Sequence, residues 1–343
     1  LQFKSFKNRN MKKNIAILAG GNSSEFPVSM NSARTIKDSL DTNRYNIYLV
    51  VIKGNSWTLQ FNGQSIEIDK NDFSCTINNK KIKFDCAFII IHGTPGENGL
   101  LQGYFETLHI PYTTCGVLSS SLTFNKIFSK RYITKFNIPV SKYHIIEKNQ
   151  SYNADIIIED IGLPCFVKPN RAGSSFGITK VTQKEEFDRA VNKAFEEDNQ
   201  VLAEEFLEGT ELTCGLIKTK EEELIFPSTE IVPKNEFFDY EAKYTKGMAD
   251  EITPSRIPES LEAEVKALSS RIYDLFDCRG IVRIDYIYSH EQLYFMEVNT
   301  IPGMSAASIV PQQIEAMGKT LTEVFTLAIE DAMSDNTKEG LEH

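Results

Sequence analysis

Short apolar runs alternate with longer mixed segments along the first third of the chain. The runs at 15–18, 47–52 and 86–91 are apolar throughout, as strands buried on both faces of a sheet are. The stretches 28–40 and 99–108 each follow such a run and are predicted as helices. Strands that alternate with helices predict a parallel, doubly wound sheet, which places this part of the chain in the α/β class.

The middle third mixes strands and helices without that regular alternation. A helical stretch is predicted over 119–136, and prolines bound the strand predicted over 164–169. Thr182 and Glu185 have the spacing of a capping box, which predicts that a helix starts there. A further strand is predicted over 201–206. This part of the chain is therefore predicted to be α+β.

The last third contains a long segment without periodicity. Strands are predicted over 211–218, 224–226, 280–288 and 292–298, and an apolar stripe from Leu261 to Leu275 predicts a helix. Residues 233–254 mix aromatic and charged side chains instead. Loops of this length are usually functional lids or disordered segments.

Composition places the chain among globular proteins of two or three domains. It has 343 residues, of which 41% are apolar and 24% are charged. Lys plus Arg total 37 and Asp plus Glu total 47, so the net charge of −10 disfavours sequence-independent binding to nucleic acid. No apolar run is long enough to cross a bilayer. The six cysteines include no Cys-x-x-Cys pair and no signal core is present, so we expect a cytoplasmic protein.

Four polar side chains are embedded in the apolar β pair near the C-terminus. Arg283 and Asp285 alternate on one predicted strand, and Glu297 and Asn299 alternate on the next, so each pair faces one side of the sheet. Carboxylate and amide oxygens suit Mg²⁺ that is also bound by nucleotide phosphates. The alternative is an exposed hairpin face with paired charges. The apolar flanks favour the metal site, because buried carboxylates need partners.

A lysine followed by small residues marks a second candidate site. Lys168 ends a predicted strand, and the loop up to Gly177 can offer backbone N–H groups to phosphates. The alternative is a plain hairpin turn. The order of residues differs from that of a P-loop, and the segment after Gly20 lacks the fingerprint of a dinucleotide-binding fold.

Three acidic or imidazole side chains at strand ends are weaker candidates. The segment from Glu204 to Glu211 can bind an adenine through its backbone and a ribose through a carboxylate, or it can be a solvated strand end. His92 and Glu25 each follow a buried strand, at the edge where open α/β sheets bind ligands. A solvent-exposed histidine and an acid that stabilises a helix N-terminus are the alternatives for these two residues.

Taken together, these segments resemble the D-alanine–D-alanine ligases of the ATP-grasp superfamily, from residue 13 to about residue 328. The resemblance rests on six motifs in the family's order, at 20–29, 92–103, 168–177, 240–244, 283–285 and 297–308. It implies a three-domain ATP-grasp fold, with a doubly wound N-terminal domain and two α+β ATP-binding domains. The implied bounds are 12–115, 116–208 and 209–338, with a lid at 233–254.

The resemblance implies an ADP-forming ligase that phosphorylates the carboxylate of one D-alanine and joins it to the amine of a second. The residues that would bind ATP are Lys126, Lys168, Ser175, Glu204, Leu207, Glu211 and Lys243. Mg²⁺ or Mn²⁺, expected as two ions, would be bound by Asp285, Glu297 and Asn299. The residues that would contact the amino acids or the reacting groups are Glu25, His92, Ser174, Tyr244, Arg283, Gly303 and Ser308.

Other functions remain open at this point. A D-alanine–D-lactate ligase would share the ATP site, whereas a non-catalytic nucleotide-binding module would have no use for Arg283 or a lid. A dehydrogenase is disfavoured by the missing fingerprint. Three departures from the family pattern affect the expected substrate geometry only: Asn98 in place of aspartate, Ala172 in place of glutamate, and Thr114-Cys115 in place of Gly-Ser. The expected partners are ATP, two molecules of D-alanine and a second copy of the chain.

Overall fold

The computed structural model describes residues 12–171, 173, 177–233 and 249–339. Separate sheets form in the first, middle and last parts of this range, each with helices packed on it, which confirms the α/β class. In the part of the chain that is described, no helix combines the length and apolar character needed to cross a membrane.

The N-terminal sheet is built around parallel strands. Its strands are β1 (Lys13–Gly20), β2 (Tyr45–Lys53), β3 (Ser56–Phe61), β4 (Gln64–Glu67) and β7 (Cys86–Ile89), in the order β4-β3-β2-β1-β7. β1 pairs in parallel with both β2 and β7, so the predicted parallel core is confirmed. The same region contains the hairpin β5 (Ser74–Ile77) and β6 (Lys80–Lys83), and the helices α1 (Phe26–Ser39) and α2 (Leu100–Thr107).

An asparagine divides the helical stretch that the sequence predicts over 119–136. The structure has α3 (Val117–Phe124), then α4 (Lys126–Ile133), then a 3-10 turn (Thr134–Phe136). Asn125 has an extended backbone between the helices, and its side chain accepts a hydrogen bond from the N–H of Phe128 at 3.0 Å. This cap starts a new helix, so the prediction of one continuous helix was wrong. It also places Lys126 at the first position of α4.

The central sheet is antiparallel. Its strands are β8 (Tyr143–Glu147), β9 (Cys165–Pro169), β10 (Thr179–Val181) and β11 (Gln200–Glu205), in the order β10-β9-β11-β8, and its helices are α5 (Ala154–Ile161) and α6 (Phe187–Ala194). β11 lies between β8 and β9, and it brings Glu204 into the same sheet as Lys168.

The capping box before α6 lies one residue later than predicted. The acidic residue of the box is Glu186 and not Glu185. The Glu186 carboxylate accepts hydrogen bonds from the backbone N–H of Thr182 at 3.0 Å and from that of Gln183 at 3.2 Å. The shift arises because a 3-10 turn (Lys184–Glu186) precedes the helix, with Gln183 as its cap. The helix follows as predicted, and its Phe187 and Val191 are fully buried.

The C-terminal sheet carries the β pair with the polar side chains. Its strands are β12 (Thr210–Lys218), β13 (Glu223–Ile225), β14 (Thr229–Pro233), β15 (Ala249–Ile252), β16 (Val282–Ser289) and β17 (Gln292–Asn299). The order is β15-β14-β12-β16-β17, and β13 pairs with β12. The helices of this part are α7 (Glu259–Leu275), α8 (Ile309–Ala316) and α9 (Leu321–Glu339).

The predicted lid segment contains a strand at its C-terminal end. β15 pairs with β14 in antiparallel register, with Val232 opposite Asp250 and Glu230 opposite Ile252. Main-chain pairing therefore extends the sheet into the stretch 233–254, which the sequence predicts to be a loop throughout. Residues 234–248 of that stretch lie outside the described residues.

The last helices pack against the N-terminal sheet. The rings of Phe88 on β7 and Phe325 on α9 meet edge to face with their centroids 5.6 Å apart. The Tyr45 hydroxyl donates to the Glu330 carboxylate at 2.6 Å. The N-terminal sheet and the last two helices therefore share one hydrophobic core. The three domain bounds stay a prediction.

Replacing Asn125 by alanine should destabilise the protein by about 1 kcal/mol, since the N–H of Phe128 loses its acceptor at a helix start. Chemical denaturation measures the change in the free energy of unfolding. Asn125→Asp keeps an acceptor oxygen and should lose far less. Equal losses in the two variants would contradict the capping role.

Candidate active site

Antiparallel pairing brings three of the predicted metal and oxyanion residues into direct contact. In the register of β16 and β17, Arg283 lies opposite Asn299 and Asp285 lies opposite Glu297. The Arg283 guanidinium donates to both carboxylate oxygens of Asp285, each at 2.9 Å, and the Asn299 amide donates to one of them at 2.9 Å. The side chains of Arg283 and Asp285 are 19% and 14% exposed, so the charges are shielded but reachable.

Glu297 is paired with a lysine from another part of the chain. The Lys126 ammonium, at the start of α4, lies 3.1 Å from a Glu297 carboxylate oxygen. Burial alone would lower the pKa of Lys126, but the charge and hydrogen bond of Glu297, together with the charges of Glu204 and Glu97, outweigh burial, and the pKa is raised. Lys126 therefore stays charged, and it links the predicted phosphate site to the predicted metal site.

The oxygen donors of this β pair fit a divalent cation of the Mg²⁺ type. Asp285 and Glu297 supply carboxylates from facing positions, and Asn299 supplies an amide oxygen while its nitrogen is engaged. Among the described residues there is no cluster of three or more His, Cys, Asp or Glu side chains at metal-binding spacing. This set fits a cation whose remaining ligands are phosphate oxygens and water, as is common for Mg²⁺.

The lysine predicted to bind phosphate is anchored by a buried glutamate. Glu204 on β11 forms ion pairs through one oxygen with Lys168 and through the other with Lys130, the latter at 3.3 Å. Burial opposes the ionisation of Glu204, but the two ammonium groups outweigh it and lower the pKa of Glu204. Both oxygens of Glu204 lie within ion-pair distance of an ammonium group, although the oxygen that faces Lys130 accepts no hydrogen bond among the described residues.

Gly173, in the predicted phosphate-binding loop 168–177, approaches Glu25 closely. Glu25 follows β1 and is 9% exposed. A Cβ atom on Gly173 would lie 2.9 Å from a carboxylate oxygen of Glu25, which is closer than real Cβ atoms come. Glycine at 173 therefore lets the loop after β9 reach the end of β1, which brings two predicted parts of the site together.

His92 is buried as a neutral ring. Its Nδ1 lies 2.9 Å from the carbonyl oxygen of Ile301, and because a carbonyl can only accept, Nδ1 carries the proton. Burial, assisted by the charge of Arg283, lowers the pKa of His92 to about 4. Nε2 is buried without a hydrogen-bond partner among the described residues, so it presents a lone pair.

Gly303 and Ser308 lie side by side in the turn after β17. The Ser308 hydroxyl contacts the backbone N–H of Ser305 at 3.1 Å and its hydroxyl at 2.8 Å. A Cβ atom on Gly303 would lie 2.9 Å from the Ser308 hydroxyl oxygen. Glycine at 303 therefore keeps the backbone next to Ser308, at the point where α8 begins.

The remaining predicted residues are placed less fully. Glu211 lies on β12, opposite Ile287 of β16, and Leu207 lies between β11 and β12. The residues of the glycine loop and the lid that were predicted to act in the site lie outside the described residues: Ser174, Ser175, Lys243 and Tyr244.

For three residues near the site, the sequence predicted no role. Thr213 donates its hydroxyl to Asp285 at 2.5 Å, and only the register of β12 with β16 reveals that contact. Glu97 is buried and accepts the N–H of Gly93 at 2.7 Å; burial and the charge of Glu25 raise the pKa of Glu97 to about 8. Lys130 is four residues after Lys126 on a helix, a spacing that could have drawn attention to it.

An open cleft of about 810 Å³ lies elsewhere on the surface. Residues that line it include Asn98, Asn125, Arg171 and Asp198. None of the described site residues lines it. The candidate active site is therefore the region around β16, β17 and the ends of β1, β9 and β11.

Comparisons with known proteins agree with this arrangement. Residues 14–115 match a family model described as D-ala D-ala ligase N-terminus, and residues 132–330 match one described as D-ala D-ala ligase C-terminus. A curated relative, the D-alanine–D-alanine ligase of Bacteroides fragilis, is 48% identical over 323 residues, which cover 94% of this chain and 99% of the relative.

Solved structures are similar over the same length. The VanG D-Ala:D-Ser ligase of Enterococcus faecalis is 30% identical with a TM-score of 0.81, covering 95% of this chain and 100% of that chain. The D-alanine–D-alanine ligase of Bacillus anthracis complexed with ATP is 28% identical with a TM-score of 0.76, covering 96% of this chain and 100% of that chain.

The His92 ring should stay neutral, with Nδ1 protonated, well below its ordinary pKa of 6.5, because burial lowers that pKa to about 4. Heteronuclear NMR of ¹⁵N-histidine-labelled protein measures the tautomer and the titration, and His92→Gln identifies the signal. The unfolded chain takes up this proton at higher pH than the folded chain, so wild type should lose stability relative to His92→Gln as the pH falls from 6.5 to 4. A titration midpoint near 6.5 would contradict the buried, neutral ring.

Proposed function

The chain belongs to the D-alanine–D-alanine ligase family, with its ATP-grasp fold, and we propose that the residues around β16 and β17 carry the ligase reaction. It is an ATP-dependent ligase that forms D-alanyl-D-alanine, the dipeptide of peptidoglycan precursors. The observation that carries the proposal is the contact of Arg283, Asp285 and Asn299 beside the Lys126–Glu297 pair. These groups are the cations and oxygen donors that phosphoryl transfer requires.

The first D-alanine is proposed to bind between the end of β1 and the turn after β7. Glu25 supplies a carboxylate for its ammonium group, and His92 supplies the lone pair of Nε2. Burial and, next to it, the charge of Glu25 raise the pKa of Glu97 to about 8. Because Glu97 can therefore hold a proton near neutral pH, it adds little negative charge to this pocket. The substrate carboxylate then points towards the cations of the next strands.

ATP is proposed to lie between the central and C-terminal sheets. Lys126 and Lys168 bind its α- and β-phosphates, Lys243 binds the γ-phosphate, and Ser175 belongs to the loop over them. The backbone of Glu204 and Leu207 receives the adenine, and Glu211 receives the ribose. Lys168 is held in place by its ion pair with Glu204, which supports a role in neutralising phosphate charge.

Asp285, Glu297 and Asn299 are proposed to bind Mg²⁺ or Mn²⁺ as two ions. When bound, such ions neutralise phosphate charge and align the oxygens of the nucleotide. Side chains of this protein hold the two carboxylates in position. Arg283 and Thr213 fix the Asp285 carboxylate, and Lys126 fixes that of Glu297.

The proposed reaction has two steps. A carboxylate oxygen of the first D-alanine attacks the γ-phosphorus, and ADP leaves, which gives an acyl phosphate. The amine nitrogen of the second D-alanine then attacks the acyl carbon, and inorganic phosphate leaves. Arg283 and the N–H of Gly303 stabilise the oxyanion of this second step, and Ser308 receives the carboxylate of the second D-alanine.

A lid is chemically necessary, because water would hydrolyse the acyl phosphate. The segment 233–254 is proposed to close over the site from its anchor in β14 and β15. Ser174 and Tyr244 would join the glycine loop to this lid. A homodimer and a cytoplasmic location, where ATP is available, complete the proposal.

The second substrate is proposed to be D-alanine. A solved relative acts on D-serine, as its name states, so the fold does not determine the acceptor. With ATP and Mg²⁺, purified protein should convert D-alanine to dipeptide with one phosphate released for each dipeptide formed. Competition with D-serine and D-lactate, followed by chromatography of the products, measures the preference. A preference for D-lactate, or no phosphate release with any D-amino acid, would contradict the proposal.

Glu297→Gln and Asp285→Asn should each lower turnover by about 100-fold or more while the protein stays folded, because each removes charge from the proposed metal site. Asp274→Asn is the matched control, since it removes an exposed carboxylate of α7 that pairs with Lys218. Steady-state dipeptide synthesis at saturating Mg²⁺ is the measurement. Near-normal turnover in either site variant would refute the metal assignment.

A further inference from the structure

Two side chains of the central sheet and one of α4 form a buried charge cluster that the reaction scheme uses only in part. We call Lys130, Glu204 and Lys168 the lysine–glutamate–lysine cluster. Lys130 is 0% exposed, Glu204 is 1% exposed and Lys168 is 8% exposed. Lys168 is the most exposed of the three and Lys130 is fully buried, so any effect of Lys130 on a ligand must pass through the other two.

The fold explains how the three side chains meet. Along β11, Glu204 lies opposite Phe166 of β9, and Leu202 lies opposite Lys168. Glu204 and Lys168 are therefore diagonal neighbours on one face of the sheet, within reach of long side chains. Lys130 comes from α4, the helix whose first residue is Lys126, and its ammonium meets the Glu204 carboxylate.

Lys130 is fixed by further contacts. Its ammonium donates to the Ser141 hydroxyl at 2.9 Å and lies 5.9 Å from the centre of the Tyr143 ring. It lies 3.3 Å from one Glu204 oxygen, and Lys168 takes the other oxygen. Burial lowers the pKa of Lys130 and the charge of Lys168 adds to this effect, whereas the charge of Glu204 opposes it, so Lys130 depends on Glu204 for its charged form.

The charges of the cluster do not cancel. Two ammonium groups share one carboxylate, so the cluster carries one net positive charge at the place where phosphates are proposed to bind. Without Lys130, Glu204 and Lys168 would form a neutral pair. Glu204 would then neutralise the charge of Lys168, and Lys168 would attract an anionic ligand less strongly.

We propose that Lys130 is a positioning residue for nucleotide phosphates, which compensates the charge of Glu204 so that Lys168 keeps its positive charge for the ligand. The inference rests on the proposed role of Lys168 as a phosphate ligand. It adds a residue that never touches the nucleotide and yet determines how strongly its phosphates are bound.

The test compares a ligand with phosphates and one without. A non-hydrolysable ATP analogue with Mg²⁺ is titrated by calorimetry, and adenosine is titrated by ligand-observed NMR. Lys130→Met keeps the aliphatic stem and removes the charge. It should weaken binding of the ATP analogue by about tenfold or more and leave adenosine binding unchanged, because only the phosphates sense the lost charge. Equal weakening of both ligands would overturn the proposal, since it would indicate a general structural role.

A double variant separates charge balance from folding. Lys130→Met/Glu204→Gln removes one charge of each sign and leaves Lys168 with its own, so it should regain most of the lost affinity for the ATP analogue. If Lys130→Met fails to fold, the double variant is compared directly with wild type, and it should prefer the ATP analogue over adenosine to a similar degree. A double variant as weak as the single one, or without that preference, would overturn the proposal.

Two further variants identify which assumption fails. Lys184→Met removes a surface lysine of the same part of the chain, paired with Asp155, and should leave both affinities unchanged. Lys168→Met should weaken the ATP analogue strongly. If it does not, the phosphate role of Lys168 is wrong, and the inference about Lys130 falls with it. If Lys168→Met weakens binding but Lys130→Met does not discriminate the two ligands, only the inference about Lys130 is wrong.

Discussion

Antiparallel pairing of β16 with β17 sets Asp285 opposite Glu297 and Arg283 opposite Asn299, and the other parts of the site are arranged around that pairing. Side chains along a strand alternate between faces, so a slip of one residue would send the two carboxylates to opposite sides of the sheet. The pairing on the other edge, with β12, adds Thr213 to the same group. A backbone register thus determines which charges can act together.

Three carboxylates of the site, those of Asp285, Glu297 and Glu204, are each paired with a cation, and for Glu297 and Glu204 these cations come from a different element. Glu297 of β17 pairs with Lys126 of α4, and Glu204 of β11 pairs with Lys130 of the same helix. α4 therefore connects the central and C-terminal sheets through charge as well as packing. Because unpaired buried charges are costly, these contacts also favour the arrangement of elements that the ligands need.

The sequence predicted the elements with strong periodicity and the residues whose neighbours were unusual. The parallel core of β1, β2 and β7 was predicted from three apolar runs, and Asp285 and Glu297 were singled out because they interrupt apolar strands. The break at Asn125 was missed, because a single cap is a weaker signal than the helical residues on both sides of it. β15 was missed because its pairing depends on β14 and not on its own pattern. Long-range contacts such as Lys130 with Glu204 lie beyond any local pattern.

The central claim is that ATP activates a D-alanine carboxylate as an acyl phosphate within this constellation of charges. Isotope transfer tests it most directly, with D-alanine labelled with ¹⁸O in its carboxylate and unlabelled ATP. The attacking carboxylate oxygen stays on phosphorus when the amine displaces phosphate. The account predicts one ¹⁸O atom in each molecule of inorganic phosphate released, as measured by the ³¹P NMR isotope shift. Dipeptide formation with unlabelled phosphate would contradict it.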